Sequence, residues 1–262
     1  MQNKTKPPFI LVVNDDGIYA SGIASLAEEM KNIGEVIVVA PLSEQSAVGH
    51  AITLLSPLRV TKCDKNGEFF GFGVSGTPAD CVKIAYWALL KERKPDLVVS
   101  GINHGSNTGI NVLYSGTVSA ATEGTILGVP SIAFSLATYE PADFSFAAKF
   151  AGKLALKVLN NGMRPATYLN VNIPAIPEDQ IKGIEITRQG MAMYRENFDM
   201  RVDPHKKTYY WLTGQKVNLD QEPPDADDIA ILNNKISITP IHYDLTHYES
   251  LDELRSWDFE FS

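Results

Sequence analysis

The apolar run Phe9-Ile10-Leu11-Val12-Val13, stopped by Asn14-Asp15-Asp16-Gly17, limits what this chain can fold into more than any other feature. A run with no polar alternation suits a strand buried on both faces, as in the centre of a parallel sheet. A helical pattern follows at Ile23, Leu26, Ala27 and Met30 and closes near Gly34. Val36-Ile37-Val38-Val39-Ala40 then forms a second buried run, ended by Pro41. Strand, helix and strand within about thirty residues make a βαβ unit.

The alternation continues. Thr77-Pro78-Ala79-Asp80 has the order of a helix start, with Thr as N-cap, Pro at the first helical position and an acid at the third. That helix is expected to reach about Lys91. Further strands are predicted at Leu97 to Ser100, Pro130 to Phe134 and Tyr168 to Asn172. Helices are predicted from about Gly116 to Leu127 and from Phe144 to Leu159. The fold class is therefore α/β, a Rossmann-like doubly wound and mostly parallel sheet. Residues 1–173 form the expected catalytic core. It carries a β-ribbon insert at about 51–74, read as Ile52 to Leu55, a Lys65-Asn66-Gly67 turn and Phe69 to Phe72. From Pro174 prolines recur and the strands become short: Gly183 to Thr187, Thr208 to Leu212 and Ile236 to Ile241. Residues 174–262 are expected to be a β-rich extension used for oligomerisation, with a final helix and a strongly acidic stretch at Asp225-Ala226-Asp227-Asp228.

The chain has 262 residues, 44% of them hydrophobic, and a formal net charge of -8. No Lys/Arg-rich run is present, so no partnership with duplex nucleic acid is expected. The two cysteines, Cys63 and Cys81, have no CxxC spacing, which argues against zinc. The basic N-terminus lacks an apolar segment long enough for a signal peptide or a membrane span, so a cytoplasmic protein without a membrane partner is expected.

Open parallel sheets bind ligands beyond the carboxyl ends of their strands. Three loops should meet there: Asn14 to Gly17, Pro41 to His50, and Ser100 to Asn107. Their carboxylates, hydroxyl and carboxamides are hard oxygen donors, suited to Mg²⁺, Mn²⁺ or Ca²⁺. Taken alone, Asp-Asp-Gly is also an ordinary polar turn. The two carboxylates converge only if the backbone turns at that point, as Gly17 allows. Ser115-Gly116-Thr117 opens a predicted helix, whose free N–H groups suit phosphate; Ser115 and Thr117 also suit simple capping. Asn14 and Asn107 could add neutral hydrogen bonds to phosphate. No GxGxxG follows the first strand, and no P-loop or GxSxG elbow occurs. Of the five histidines only His50 and His104 lie in the candidate loops.

Five motifs in order carry a resemblance to the SurE family, the survival-protein 5′-nucleotidases. They are Val13 to Gly17, Ser46 to His50, Gly76 to Val82, Ser100 to Asn103 and Tyr114 to Gly124. Tyr210 to Gly214 and Ile236 to Ile241 extend the likeness over nearly the whole chain. The resemblance implies a phosphatase that needs one divalent ion per subunit, Mg²⁺ or Mn²⁺. Its substrates would be nucleoside 5′-monophosphates, with 3′-monophosphates and short polyphosphate beside them. It implies metal ligation by Asp15, Asp16, Ser46 and Asn103, and a homodimer or homotetramer built partly through the C-terminal extension. Asp15, Asp16 and Asn14 are then the candidate catalytic residues. Asn14, Asn107, Ser115, Gly116 and Thr117 are the candidate phosphate contacts. Ser106 stands where many relatives carry proline. The nucleophile stays open between a metal-bound water and an Asp carboxylate. A Mg²⁺-binding signalling receiver would need a phosphoacceptor Asp after Val99, where this chain has Ser100 and Asn103. A nucleotide-binding module without chemistry would not require the metal loops.

Overall fold

The computed structural model describes residues 6–217 and 219–259. The elements, in chain order, begin with β1 (Phe9–Val13), α1 (Ser21–Lys31) and β2 (Glu35–Pro41), followed by β3 (Val60–Lys65), β4 (Glu68–Val74), α2 (Pro78–Ile84) and β5 (Leu97–His104). Next come α3 (Gly116–Ile126), β6 (Ser131–Ala137), α4 (Ser145–Asn161), β7 (Thr167–Pro174) and β8 (Ile184–Ile186). The last are β9 (Met193–Val202), β10 (Thr208–Val217), α5 (Asp227–Leu232), β11 (Ile236–His242) and α6 (Glu249–Arg255). Nine strands form one sheet in the order β3-β4-β2-β1-β5-β6-β7-β11-β8. Every pair from β4 through β7 is parallel; β3 and β11 pair antiparallel with β4 and β7.

The buried runs account for this sheet. Ile10 and Val12 face one core, with Ile23, Leu26 and Met30 of α1 and Ala147, Ala151, Ala155 and Val158 of α4. Leu11 and Val13 face the other, with Cys81 and Val82 of α2 and Ala120 of α3. One strand thus supplies both cores by alternation, which explains why its sequence has none of its own. Among the described residues, no helix is long and apolar enough to cross a membrane.

Several sequence expectations change at their edges. The ribbon is β3 and β4; Ile52 to Leu55 pair with no strand. Asn66 and Gly67 take positive φ of 54° and 82°, as a tight hairpin turn requires. The helix expected to reach Lys91 ends as α at Ile84 and widens into a π-helical turn over Ala85–Leu89. The chain after Pro174 divides into two parts. β8 and β11 join the main sheet, whereas β9 and β10 form a separate hairpin of their own, with Phe198, Met200, Tyr210, Trp211 and Leu212 exposed. Sequence periodicity separates strand from helix but carries no pairing information, so it could not show which short strands would extend the sheet.

Helix α3 sets the position of the site. It is buried from Gly116 through Thr125, and small residues let it lie close on the sheet. A methyl group added at Gly124 would come within 2.4 Å of Ser131 Oγ and 2.9 Å of Val98 Cγ2. Gly124→Ala gains up to about 1 kcal/mol of helix propensity, but overpacking costs about 1–3 kcal/mol. The variant is expected to unfold at lower urea concentration with an unchanged denaturant slope.

Candidate active site at the carboxyl edge of the sheet

β1 ends at Val13, and the chain turns at once. Asn14 is fully buried and its Nδ2 donates to Gly17 O at 2.9 Å, while Gly17 takes φ +99°. Because the strand has already ended, the next two carboxylates are aimed at two neighbouring elements. Asp15 reaches the start of α3: Thr117 N donates to its Oδ2 at 3.0 Å, and Thr117 Oγ1 donates to its Oδ1. A methyl group on Gly116 would sit 2.7 Å from Asp15 Cβ, so a glycine there lets the carboxylate approach. Asp16 reaches the end of β5, where His104 N donates to its Oδ2 at 3.3 Å.

Burial pushes the Asp15 carboxyl above its ordinary range, against the hydrogen bonds from Thr117. Burial, with the Asp15 charge beside it, raises Asp16 to about 6. Two carboxylates held together at such a cost are a signature of a functional site.

The second loop closes over them. Gln45 N donates to Asp15 O at 2.8 Å, and Gly49 N donates to Tyr114 O at 3.0 Å. Ser46 is exposed, with its hydroxyl on Glu44 Oε1 at 2.6 Å. In the third loop Asn103 Nδ2 donates to Gly105 O at 2.8 Å. Asp16, Glu44, Ser46 and His104 share one cleft of about 570 Å³, closed on its far side by the segment from Tyr139 to Phe144.

At the α3 terminus, whose Thr117 is a candidate phosphate contact, both Thr117 donors are on Asp15. Ser115 caps the helix by accepting from Val118 N at 3.1 Å. Asn107 is held among neighbours rather than left open. Its Nδ2 donates to Ser135 Oγ at 2.8 Å, and its main chain pairs with Asn170 and Asn172. Asn14 is enclosed by the fold and shapes the turn.

Two supporting groups were missed in the sequence. Glu123, buried in α3, pairs with His50 Nε2 at 3.0 Å and accepts from Lys83 Nζ at 2.7 Å, tying the Ser46 loop and α2 to the helix that holds Asp15. Behind the third loop, Asp227 accepts from Gly109 N at 3.0 Å and Gly190 N at 2.9 Å. Asp228 accepts from Thr108 Oγ1 at 2.6 Å and also from Lys216 of β10. Burial, joined by the Asp228 charge, raises Asp227 to about 6. The acidic stretch 225–228 was the one visible sign of this network; its partners Thr108 and Gly109 lie more than a hundred residues away along the chain.

The donor set fits a hard cation. Among the described residues no three His, Cys, Asp or Glu side chains gather as a cage. Two carboxylates with a serine and a carboxamide oxygen therefore suit an ion that keeps waters of its own. Asn14 Oδ1 and Ser100 Oγ, both buried beside this edge, have no hydrogen-bond partner among the described residues.

The chain is similar over nearly its whole length to proteins of one family. A family model described as Survival protein SurE matches residues 10–196. A protein of Syntrophus aciditrophicus (strain SB) described as 5′-nucleotidase SurE is 53% identical over 246 residues, covering 94% of this chain and 92% of that protein. One of the same description from Syntrophobacter fumaroxidans (strain DSM 10017 / MPOB) is 51% identical over 95% of this chain and 99% of its own length. The crystal structure of a SurE protein from Aquifex aeolicus superposes with a TM-score of 0.82 at 45% identity, covering 95% of this chain and 98% of that one.

The Glu123 contacts generate a pH-dependent expectation. Burial alone would raise this carboxyl, but the hydrogen bonds and charges of His50 and Lys83 outweigh it and lower the group. Its contribution to stability is then complete above the unfolded value of about 4.3 and is lost as pH falls through the lower folded value. Glu123→Gln should cost about 1.5–3 kcal/mol at pH 7. The difference from wild type should shrink as pH falls below about 4. Urea melts of both proteins across that range provide the check.

Proposed function

The chain belongs to the SurE family, and on that premise we propose that it is a divalent-metal-dependent phosphatase converting nucleoside 5′-monophosphates to nucleoside and phosphate. The observation that carries the reading is the Asp15–Asp16 pair at the carboxyl edge of the sheet, with Asp16 and Ser46 lining one cleft of nucleotide size. The same phosphate site would accept nucleoside 3′-monophosphates and short polyphosphate. Phosphoryl transfer needs charge neutralisation and alignment more than covalent help from the protein.

Asp15, Asp16, Ser46 and Asn103 would hold one Mg²⁺ or Mn²⁺ per subunit. Such an ion, when bound, neutralises phosphoryl oxygens and lowers the pKa of water. The protein's own groups set the geometry. Thr117 keeps Asp15 in one rotamer, and His104 N orients Asp16. The hydroxyl hydrogen of Ser115 and the second amide hydrogen of Asn107 would be the donors left for the phosphate, since the main chain at Gly116, like that at Thr117, turns to Asp15. Asp15 is a poor attacking group, because both of its oxygens already accept from Thr117. Water is therefore the nucleophile in this reading. A signalling receiver and a non-catalytic nucleotide binder both lack a use for the whole set.

The exposed β9–β10 hairpin supports a homo-oligomeric assembly, a dimer or tetramer with two-fold symmetry. Cys63 and Cys81 are buried free thiols, which suits a reducing compartment such as the cytoplasm.

Asp15→Asn and Asp16→Asn should each cut phosphate release from nucleoside monophosphates roughly a hundredfold or more, since even outer-shell partners of a metal cost 10–100-fold. Circular dichroism should stay unchanged, and near wild-type turnover in metal-saturated buffer would remove the pair from the site. Light scattering of the intact protein should give an even multiple of 28.7 kDa, the mass of one chain. A monodisperse monomer would leave the hairpin without a subunit role.

A further inference from the structure

The far wall of the cleft differs in chemistry from the acidic wall. It is formed by the segment after β6, where Tyr139, Pro141, Ala142 and Phe144 face the space bounded on the other side by Asp16 and Ser46. This segment is anchored at both ends. His104 Nε2 lies 2.7 Å from Glu140 O and so donates to it. Phe144 is 6% exposed, and its ring meets the His104 ring edge-on at 6.2 Å between centroids.

Tyr139 is exceptional within this wall. It is 67% exposed, although it sits in an anchored segment. One edge of its ring lies directly against the backbone of Gly105: a methyl group added to that glycine would come within 2.6 Å of Tyr139 Cε1. Gly105 also takes φ +121°, which side-chain-bearing residues rarely adopt. The ring is thus backed along one edge by bare backbone and lines the cleft. Its hydroxyl is hydrogen-bonded with Tyr194 of β9, which fixes the tip of the side chain while the ring lines the cleft.

We infer that the Tyr139 ring is the stacking platform for the base of a nucleoside monophosphate, with Pro141 and Phe144 extending the apolar wall. The inference rests on the phosphatase reading and adds to it the part of the substrate that the reacting groups do not touch. Stacking uses the π-face that every base has, so it tolerates all of them. Purines, with more area, should be preferred over pyrimidines. A hydrophobic platform reads area and not hydrogen-bond pattern, so AMP and GMP should differ little.

The test compares adenosine 5′-monophosphate with ribose 5-phosphate, which has the same ester and no base, in wild type, Tyr139→Ala and Tyr139→Phe. Wild type should prefer the nucleotide. Tyr139→Ala should lose roughly tenfold in kcat/KM on the nucleotide, through KM, and change little on ribose 5-phosphate. Tyr139→Phe should keep the nucleotide preference, because it keeps the ring. Adenosine should inhibit wild type and Tyr139→Phe competitively, and Tyr139→Ala more weakly. Equal losses on both esters in Tyr139→Ala, or no loss on either, would overturn the platform, as would a wild type indifferent to the base. In each of those cases phosphate release from the esters would leave the phosphatase reading standing. Hydrolysis of neither ester by wild type would overturn that reading and the platform with it.

Discussion

The contact between Asp15 and the first turn of α3 is the constraint from which the rest of the site follows. A buried carboxylate must find donors, and a helix N-terminus offers N–H groups with a favourable dipole. Thr117 supplies both its main-chain N–H and its hydroxyl. For the two to meet, β1 must end at Val13 and Gly116 must carry no side chain. α3 must also lie flat on the sheet, which its small residues permit. The same helix end that could have bound an anion from solution is occupied by an anion of the protein itself.

Around this contact the structure ties loops to scaffold. Glu123, one face further along α3, takes His50 from the second loop and Lys83 from α2. Asp227 and Asp228 hold the segment after the third loop from behind, and Lys216 brings the base of the exposed hairpin into the same network. The hairpin therefore reaches the neighbourhood of Asn107 through the charged hydrogen bonds of Lys216. Loops positioned this way can carry polar side chains with little burial of their own, as Ser46 does, and still converge with useful precision.

The cleft then divides into two chemistries. One wall is acidic and oxygen-rich, with Asp16, Glu44 and Ser46. The other is aromatic and apolar, anchored by His104, which donates through its main chain to Asp16 and through its ring to Glu140. His104 is thus a structural link between the walls.

The sequence by itself determined the sheet and the edge on which chemistry sits. Continuous apolar runs can only be strands buried on both faces, and glycine-rich, oxygen-rich loops after three of them could only meet at the carboxyl edge. It also set the chemistry of the candidates: the SurE-like motifs point to Asp15, Asp16, Ser46 and Asn103, all oxygen donors. Tertiary structure decided the partners. Which donors Thr117 serves, which strands β8 and β11 join, and which carboxylates lie behind Gly109 depend on contacts between residues far apart in the chain. Local periodicity is blind to such contacts, because propensity and burial act on each residue's own neighbourhood while a hydrogen bond needs two groups brought together by the fold. The ring of Tyr139 shows the same limit, since nothing in Ala137-Thr138-Tyr139-Glu140 signals that a bare glycine backbone will lie against its edge.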